Sequence, residues 1–304
     1  MRPLSPPRAL RAFVVATMVA LAALTGGCES VVGVEPGPHT SRLVVLGLFQ
    51  PGQPWDILVT RTVGTGDTTD VYDAMVTDAT VEIRTAAGPL VTLGHRDRGH
   101  YTADTALPEP GVTYTLRVSA PGFAPVEATS SAPPPLDVAA VLTREEDGRT
   151  SVHLRYVDPG GRGDTYGIQL LAPVDTTGGG APAFIAVGFQ TDAPSIRNES
   201  FFDTISEGSS RPLYYLALFS DALFDGREVT FDLDLFDESV APTQAELTRA
   251  SPAYYSYLRT LSLLQDAEEN PFADPIVPYS NVEGGLGAFA GYTPVRVALA
   301  EVAP

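Results

Sequence analysis

From residue 42 to the end of this 304-residue chain, short stretches of alternating apolar and polar residues recur, each cut off by a turn signal. Trp55, Ile57 and Val59 alternate with Asp56, Leu58 and Thr60; Tyr114, Leu116 and Val118 alternate with Thr113, Thr115 and Arg117. Val152, Leu154 and Tyr156 repeat the pattern against His153 and Arg155. A period of two is that of a half-buried strand. Pro51-Gly52, Ala87-Gly88, Pro110-Gly111, Pro121-Gly122 and Asp225-Gly226 supply the turns between such segments. The run Leu43 to Phe49 is almost continuously apolar and predicts a strand buried on both faces. The chain is therefore expected to be mainly β.

About seven short strands between residues 41 and 131 match the count of an immunoglobulin-like β-sandwich. Ala132-Pro133-Pro134-Pro135 stiffens the chain into an extended spacer, so residues 132–136 read as a linker. Residues 137–304 read as a second β-sandwich domain with one helix near 252–267. Ser251 is placed to cap that helix and Pro252 to start it; Tyr254, Leu258, Leu261 and Leu264 recur at helical spacing until Asn270-Pro271. The stretch 271–291 is rich in Pro and Gly, and Val295, Val297 and Leu299 predict a closing strand.

The first 28 residues carry a different pattern. Arg2, Arg8 and Arg11 precede an apolar run from Ala12 to Leu24, too short to span a bilayer, and Thr25-Gly26-Gly27 leads to Cys28. These are the parts of a secretory signal, with the single cysteine of the chain standing where cleavage falls. The arrangement resembles a bacterial lipoprotein signal: residues 1–27 would be removed, Cys28 acylated, and residues 28–40 left as a tether. The expected location is the cell envelope, anchored to the outer membrane on its periplasmic or surface face.

The 277 residues left of 304 are near the size at which one hydrophobic core divides into two. The formal net charge of −18 becomes −21 once the three signal arginines are removed, and every basic side chain other than histidine is arginine. So negative a surface repels phosphate backbones and argues against nucleic acid as a partner. The absence of lysine excludes a P-loop, a Ser-Lys dyad and a Schiff base. With Cys28 committed to lipid, disulfides, thiolate nucleophiles and cysteine-ligated metals are excluded too.

The remaining candidates for chemistry are histidines and carboxylates. His95 and His100 flank a turn that also holds Arg96 and Arg98, whose charges would repel a cation; His153 falls on the polar face of its strand. Asp232 and Asp234 share one strand face, and Asp237 adjoins Glu238, but solvated acidic surface is the simpler reading. No Gly-x-Ser-x-Gly elbow occurs, so no catalytic residue is assigned and no cofactor is expected. Oxygen-rich loops are what calcium requires, and two sets qualify: Asp67, Asp70 and Asp73 in one loop, and Asp158 and Asp164 around Pro159-Gly-Gly-Arg-Gly. Neither matches an EF-hand and Arg162 lies within the second, so no metal is assigned. Gly285-Leu-Gly287-Ala-Phe-Ala-Gly291 follows no strand pattern and opens no helix, which argues against a dinucleotide loop and for close backbone packing. Candidate aromatic binding residues are Tyr255, Phe289 and Tyr292, with sugar or peptide stacking as the chemistry.

Several segments together resemble a known family. They are Arg42-Leu-Val-Val-Leu-Gly-Leu-Phe, Ile57-Leu-Val-Thr-Arg-Thr, Gly111-Val-Thr-Tyr-Thr-Leu, Phe219-Ser-Asp-Ala-Leu-Phe-Asp-Gly, Asn270-Pro-Phe-Ala-Asp-Pro and Tyr279-Ser-Asn-Val-Glu-Gly-Gly-Leu-Gly-Ala-Phe-Ala-Gly-Tyr292. The chain is similar along its mature length to domain-of-unknown-function family 4249. That resemblance implies an envelope lipoprotein of the Bacteroidetes type, often encoded near TonB-dependent outer-membrane transporters and without an established activity. The expected role is a non-enzymatic binding or accessory module for such a transporter; the alternatives are a surface adhesin or glycan-binding protein, and last a carboxylate-based hydrolase.

Overall fold

The alternation of Trp55, Ile57 and Val59 becomes a strand whose three apolar side chains are fully buried, and the same holds of Tyr114, Leu116 and Val118. In the computed structural model of the chain the described residues are 39–64, 70–145, 148–174, 183–199, 203–204, 211–268 and 276–302. Cys28, Asp67, the signal segment and most of the tether lie outside them.

The N-terminal strands are β1 (Leu43–Phe49), β2 (Trp55–Arg61), β3 (Thr80–Thr85), β4 (Gly88–Asp97), β5 (His100–Ala103), β6 (Thr113–Ser119) and β7 (Val126–Ser131). After them come β8 (Val138–Arg144), β9 (Thr150–Val157), β10 (Thr165–Val174), β11 (Ala183–Val187), β12 (Phe189–Gln190), β13 (Asp203–Thr204), β14 (Leu213–Tyr214) and β15 (Ala217–Ser220). The chain closes with β16 (Glu228–Leu235), β17 (Gln244–Ala250), β18 (Leu286–Ala298) and β19 (Ala300–Val302). Two helices are described, α1 (Pro194–Glu199) and α2 (Pro252–Glu268). The chain is mainly β, of the β-sandwich class.

Among the described residues the strands form two sheets. One runs β11-β10-β17-β18-β1-β2-β5-β4-β3-β6-β7, with β15 also on β10; the other runs β13-β14-β12-β16-β9-β8-β19. In the N-terminal half the first sheet rolls over on itself. The long β4 carries the bend, pairing with β3 through Val91 and Leu93 and with β5 from Gly94 onward. Strand β7 then returns beside the segment entering β18, where Glu127 and Glu283 exchange backbone hydrogen bonds of 3.1 and 2.7 Å. Inside the roll sit Trp55, Phe49, Tyr114 and Phe289, with Phe49 stacked on Phe289 at 4.8 Å and Trp55 edge-on to Tyr114 at 5.0 Å.

A second cluster of buried side chains lies between β10 and β17 on one side and β8, β9 and β16 on the other, with Tyr156, Tyr166, Phe219 and Phe231 at its centre. In sequence the buried residues of the first cluster run up to Ala132, inside the expected 132–136 spacer, and are joined by Val282 and Phe289 from the C-terminal segment, while Leu136 at the spacer's other end packs against the second cluster. The spacer itself is packed. Ala132 is fully buried, the Thr293 hydroxyl donates to the Pro133 carbonyl and Arg249 donates to that of Pro134. Residues 40–304 form one compact unit.

Strand β18 joins the halves. Its first part, Leu286–Gly291, pairs in parallel with β1, and its second part, Tyr292–Ala298, pairs antiparallel with β17. The prediction for this region is too short: the closing strand starts nine residues before Val295, within the Gly-rich stretch. Strand β1 also departs from expectation. It alternates, burying Leu43, Val45 and Phe49 and leaving Val44, Leu46 and Leu48 half-buried. Val44 and Leu46 line an apolar groove of about 390 Å³ shared with Leu58, Leu286, Tyr257 and Tyr279.

Helix α2 begins as its cap residues dictate. The Ser251 hydroxyl accepts from the Tyr254 amide at 3.2 Å and the Ser251 carbonyl from the Tyr255 amide at 3.1 Å. The helix lies against β18, burying Ala253 and Ser262 and leaving Leu261 and Leu263 exposed.

Candidate functional site

Two loops cross between the sheets at one end of the second cluster, 158–164 linking β9 to β10 and 221–227 linking β15 to β16. They run side by side in opposite directions because their ends are tied by backbone hydrogen bonds. The Asp158 amide donates to the Arg227 carbonyl at 3.0 Å, and the Asp221 amide donates to the Asp164 carbonyl at 3.0 Å. Between the ties, carboxylate oxygens of Asp158, Asp221 and Asp225 lie within 4.8 Å of one another. Asp158 is 2% exposed, Asp221 is 1% exposed and Asp225 is half-buried.

Backbone amides hold these carboxylates. Asp158 Oδ2 accepts from Gly160 at 3.0 Å and from Gly226 at 2.7 Å; Asp225 Oδ1 accepts from Gly161 at 2.8 Å and Asp221 Oδ1 from Gly163 at 3.0 Å. Gly160 and Gly226 have φ of +79° and +69°, and a Cβ on either would lie within about 3.6 Å of the other's Cα, so the loops meet here without side chains. The Tyr166 hydroxyl donates to Asp158 Oδ1. Asp221 Oδ2 and the Tyr156 hydroxyl are buried without a hydrogen-bond partner among the described residues. Burial raises the pKa of the Tyr156 and Tyr166 hydroxyls, and the surrounding aspartates raise it further. Both phenols stay protonated. Phe224 packs on the rings of Tyr156 and Tyr166 at 6.2 and 6.0 Å and makes the floor apolar.

The sequence placed one of these three acids in a calcium set. Asp164, its expected companion, is turned away into a two-pronged pair with Arg249 at 2.8 and 2.9 Å, while Asp221 and Asp225 take its place. Their signal lay in Phe219-Ser-Asp-Ala-Leu-Phe-Asp-Gly, whose Asp221 follows Asp158 by 63 residues and which reads in the sequence as a turn at Asp225-Gly226 and as a family motif, not as a ligand set. Of the other set, Asp70 caps a turn of 3-10 helix by accepting from the Tyr72 amide, Asp73 is exposed on the same turn, and the two join no cluster of three among the described residues.

The other candidates are separated. His100 lies 2.8 Å from Asp56, and His95 packs on Tyr101. His153 contacts Asp232 at 2.7 Å and Thr143 at 2.8 Å on the polar face expected for it. Asp234 accepts from Arg211 and Ser151, each at 2.8 Å. Phe289 is fully buried in the first cluster and is therefore not a binding surface; the Gly-rich approach of β18 to β1 draws it into the roll. Tyr292 stacks on Tyr254 at 4.6 Å and lines an open cleft of about 640 Å³ with Gln50, Gln53, Asp56, Arg96 and Asp104. Tyr255 is half-buried on α2. Among the described residues no helix is long and apolar enough to cross a membrane.

Residues 30–297 match the family described as domain of unknown function (DUF4249). The chain belongs to that family. No curated protein matches this DUF4249 chain. Among solved structures, the Fcho1 Mu homology domain of Danio rerio with bound Eps15 peptide is similar at 12% identity and a TM-score of 0.21, covering 88% of this chain and 97% of that one. So distant a likeness bears no argument about the DUF4249 fold or its role.

Proposed function

We propose that this DUF4249 protein is a lipid-anchored, non-enzymatic binding module of the cell envelope, held at the outer membrane through acylated Cys28 and serving a TonB-dependent transporter. The observation that carries the reading is the order of parts: an apolar run from Ala12 to Leu24, the small residues leading to Cys28, a short Pro- and Gly-containing tether, and then a compact unit from Thr40. Two or more acyl chains anchor a protein stably, at about 0.8 kcal/mol per buried methylene. The transporter part is supported by the resemblance to envelope lipoproteins encoded beside such transporters. Crosslinking in intact cells followed by detergent extraction should recover a barrel protein with the chain. Recovery of the chain alone, or membrane retention unchanged in Cys28→Ser, would overturn the reading.

A second reading, a surface glycan-binding protein, is favoured by the 640 Å³ cleft, where Tyr292 offers a ring beside Gln50, Gln53, Asp56 and Asp104. Glycan-array binding that is lost in Tyr292→Ala without co-purification of a transporter would support it. The Asp232 and Asp234 pair gives a hydrolase no comparable support, because Arg211 and Ser151 hold Asp234 as a carboxylate and deny it an acid's role.

A further inference from the structure

We propose that Asp158, Asp221 and Asp225 bind one hard divalent cation of the calcium type between the 158–164 and 221–227 loops. The site is independent of the anchor and of any transporter.

The carboxylates are spaced for a single ion. Calcium holds oxygen ligands at about 2.3–2.6 Å, so oxygens up to about 5 Å apart can share one ion. The three carboxylates place oxygens within 4.8 Å of one another. Their charge also calls for a cation. Two of these acids are almost wholly buried, over a floor of Tyr156, Tyr166 and Phe224, where like charges repel far more than in water. The backbone amides of Gly160, Gly161, Gly163 and Gly226 orient the carboxylates but bring no net charge. The nearby guanidiniums do not neutralise the cluster: Arg249 is committed to Asp164, and Arg162 is 91% exposed and only reaches Asp225 at 3.7 Å.

An orphan atom points the same way. Asp221 Oδ2 is buried with no donor among the described residues, an arrangement that costs free energy unless a cation or a proton meets it. The donor set is all oxygen, which suits calcium and excludes soft metals. Magnesium is disfavoured because it demands a near-ideal octahedron and keeps several of its waters, whereas these three carboxylates are fixed in place by backbone amides.

The test uses the full-length chain in detergent, stripped with chelator and titrated with calcium alone. A calcium concentration about 100-fold above Kd should raise the unfolding midpoint by about 5–10 °C, reversed by chelator, with magnesium at the same concentration giving a smaller rise. Terbium gives a second readout, since an ion at Asp158 sits beside the Tyr166 phenol and should luminesce on tyrosine excitation and be displaced by calcium. Asp225→Asn, at the half-buried position, should fold and lose both responses; Asp221→Asn should do the same, and Asp232→Asn, on the far side of its sheet, should keep both. No midpoint shift and no displaceable terbium signal with the wild-type chain would overturn the site even if the variants fail to fold. Retention of the full response in folded Asp225→Asn would overturn the ligand assignment.

Discussion

The side-chain amide of Asn281 closes both backbone hydrogen bonds of Phe289, donating to its carbonyl at 2.8 Å and accepting from its amide at 3.0 Å. Phe289 lies in the part of β18 that has β1 on one side and no strand on the other, since β17 pairs only from Tyr292 onward. One side chain thus stands in for a missing strand at a residue whose ring fills the first core. Asn281→Ala should cost about 1–3 kcal/mol, the penalty of leaving buried donors and acceptors unmade. Urea unfolding should show a lower midpoint at unchanged slope, and Asn281→Asp, which accepts but cannot donate, should fall between.

Gly287 faces Val45 so closely that an added Cβ would lie 2.0 Å from the Val45 carbonyl oxygen, and its φ is +110°. Gly287→Ala should therefore separate β18 from β1 and destabilise by about 3–5 kcal/mol. Gly94→Ala is the control: nothing lies within 4 Å of the new methyl, and the change should stay within about 1 kcal/mol. Equal loss in the two variants would contradict the close approach.

Asp234 titrates below its ordinary value of 3.8. Burial works to raise it, and the hydrogen bonds from Arg211 and Ser151 outweigh that effect. A carboxylate whose folded pKa is depressed contributes stability that is complete above the unfolded pKa and is lost as pH falls through the folded one. The stability advantage of the wild type over Asp234→Asn should hold from about pH 7 to about pH 5 and shrink toward about pH 2. A difference that does not change with pH would show that Asp234 matters only for packing.

The formal charge of −18 on a chain without lysine is self-repelling, and salt screens it over about 10 Å at 0.1 M. The unfolding midpoint should rise with added NaCl. A flat response would mean that local pairs such as Arg296 with Glu246, at 2.6 Å, already balance the surface.

Local rules made much of this fold readable. Trp55, Ile57 and Val59 point inward because a strand alternates, and Ser251 starts a helix because its hydroxyl and Pro252 suit the first turn. Tertiary context decided what was missed. Val44 and Leu46 look like core residues of a doubly buried strand, but they line an apolar groove. The Gly-rich stretch before Tyr292 lacks a strand's alternation because it meets β1 backbone to backbone, and only glycine permits that contact at Gly287. Asp158 and Asp221 belong together through two crossing loops, a juxtaposition that no spacing within either segment encodes.

The parallel pairing of β1 with β18 spans nearly the whole chain: Arg42 donates to the Gly285 carbonyl 243 residues away. A ribosome delivers β1 long before this partner. Until then β1 is an unprotected edge with apolar residues on both faces, the kind of segment that pairs with the wrong neighbour. Folding should thus be slow and should wait for β18, because closing so long a loop must precede any reward from the contacts it brings. A nascent chain halted before residue 286 should remain sensitive to protease and dependent on a holding chaperone, with its first sheet lacking the strand that completes it.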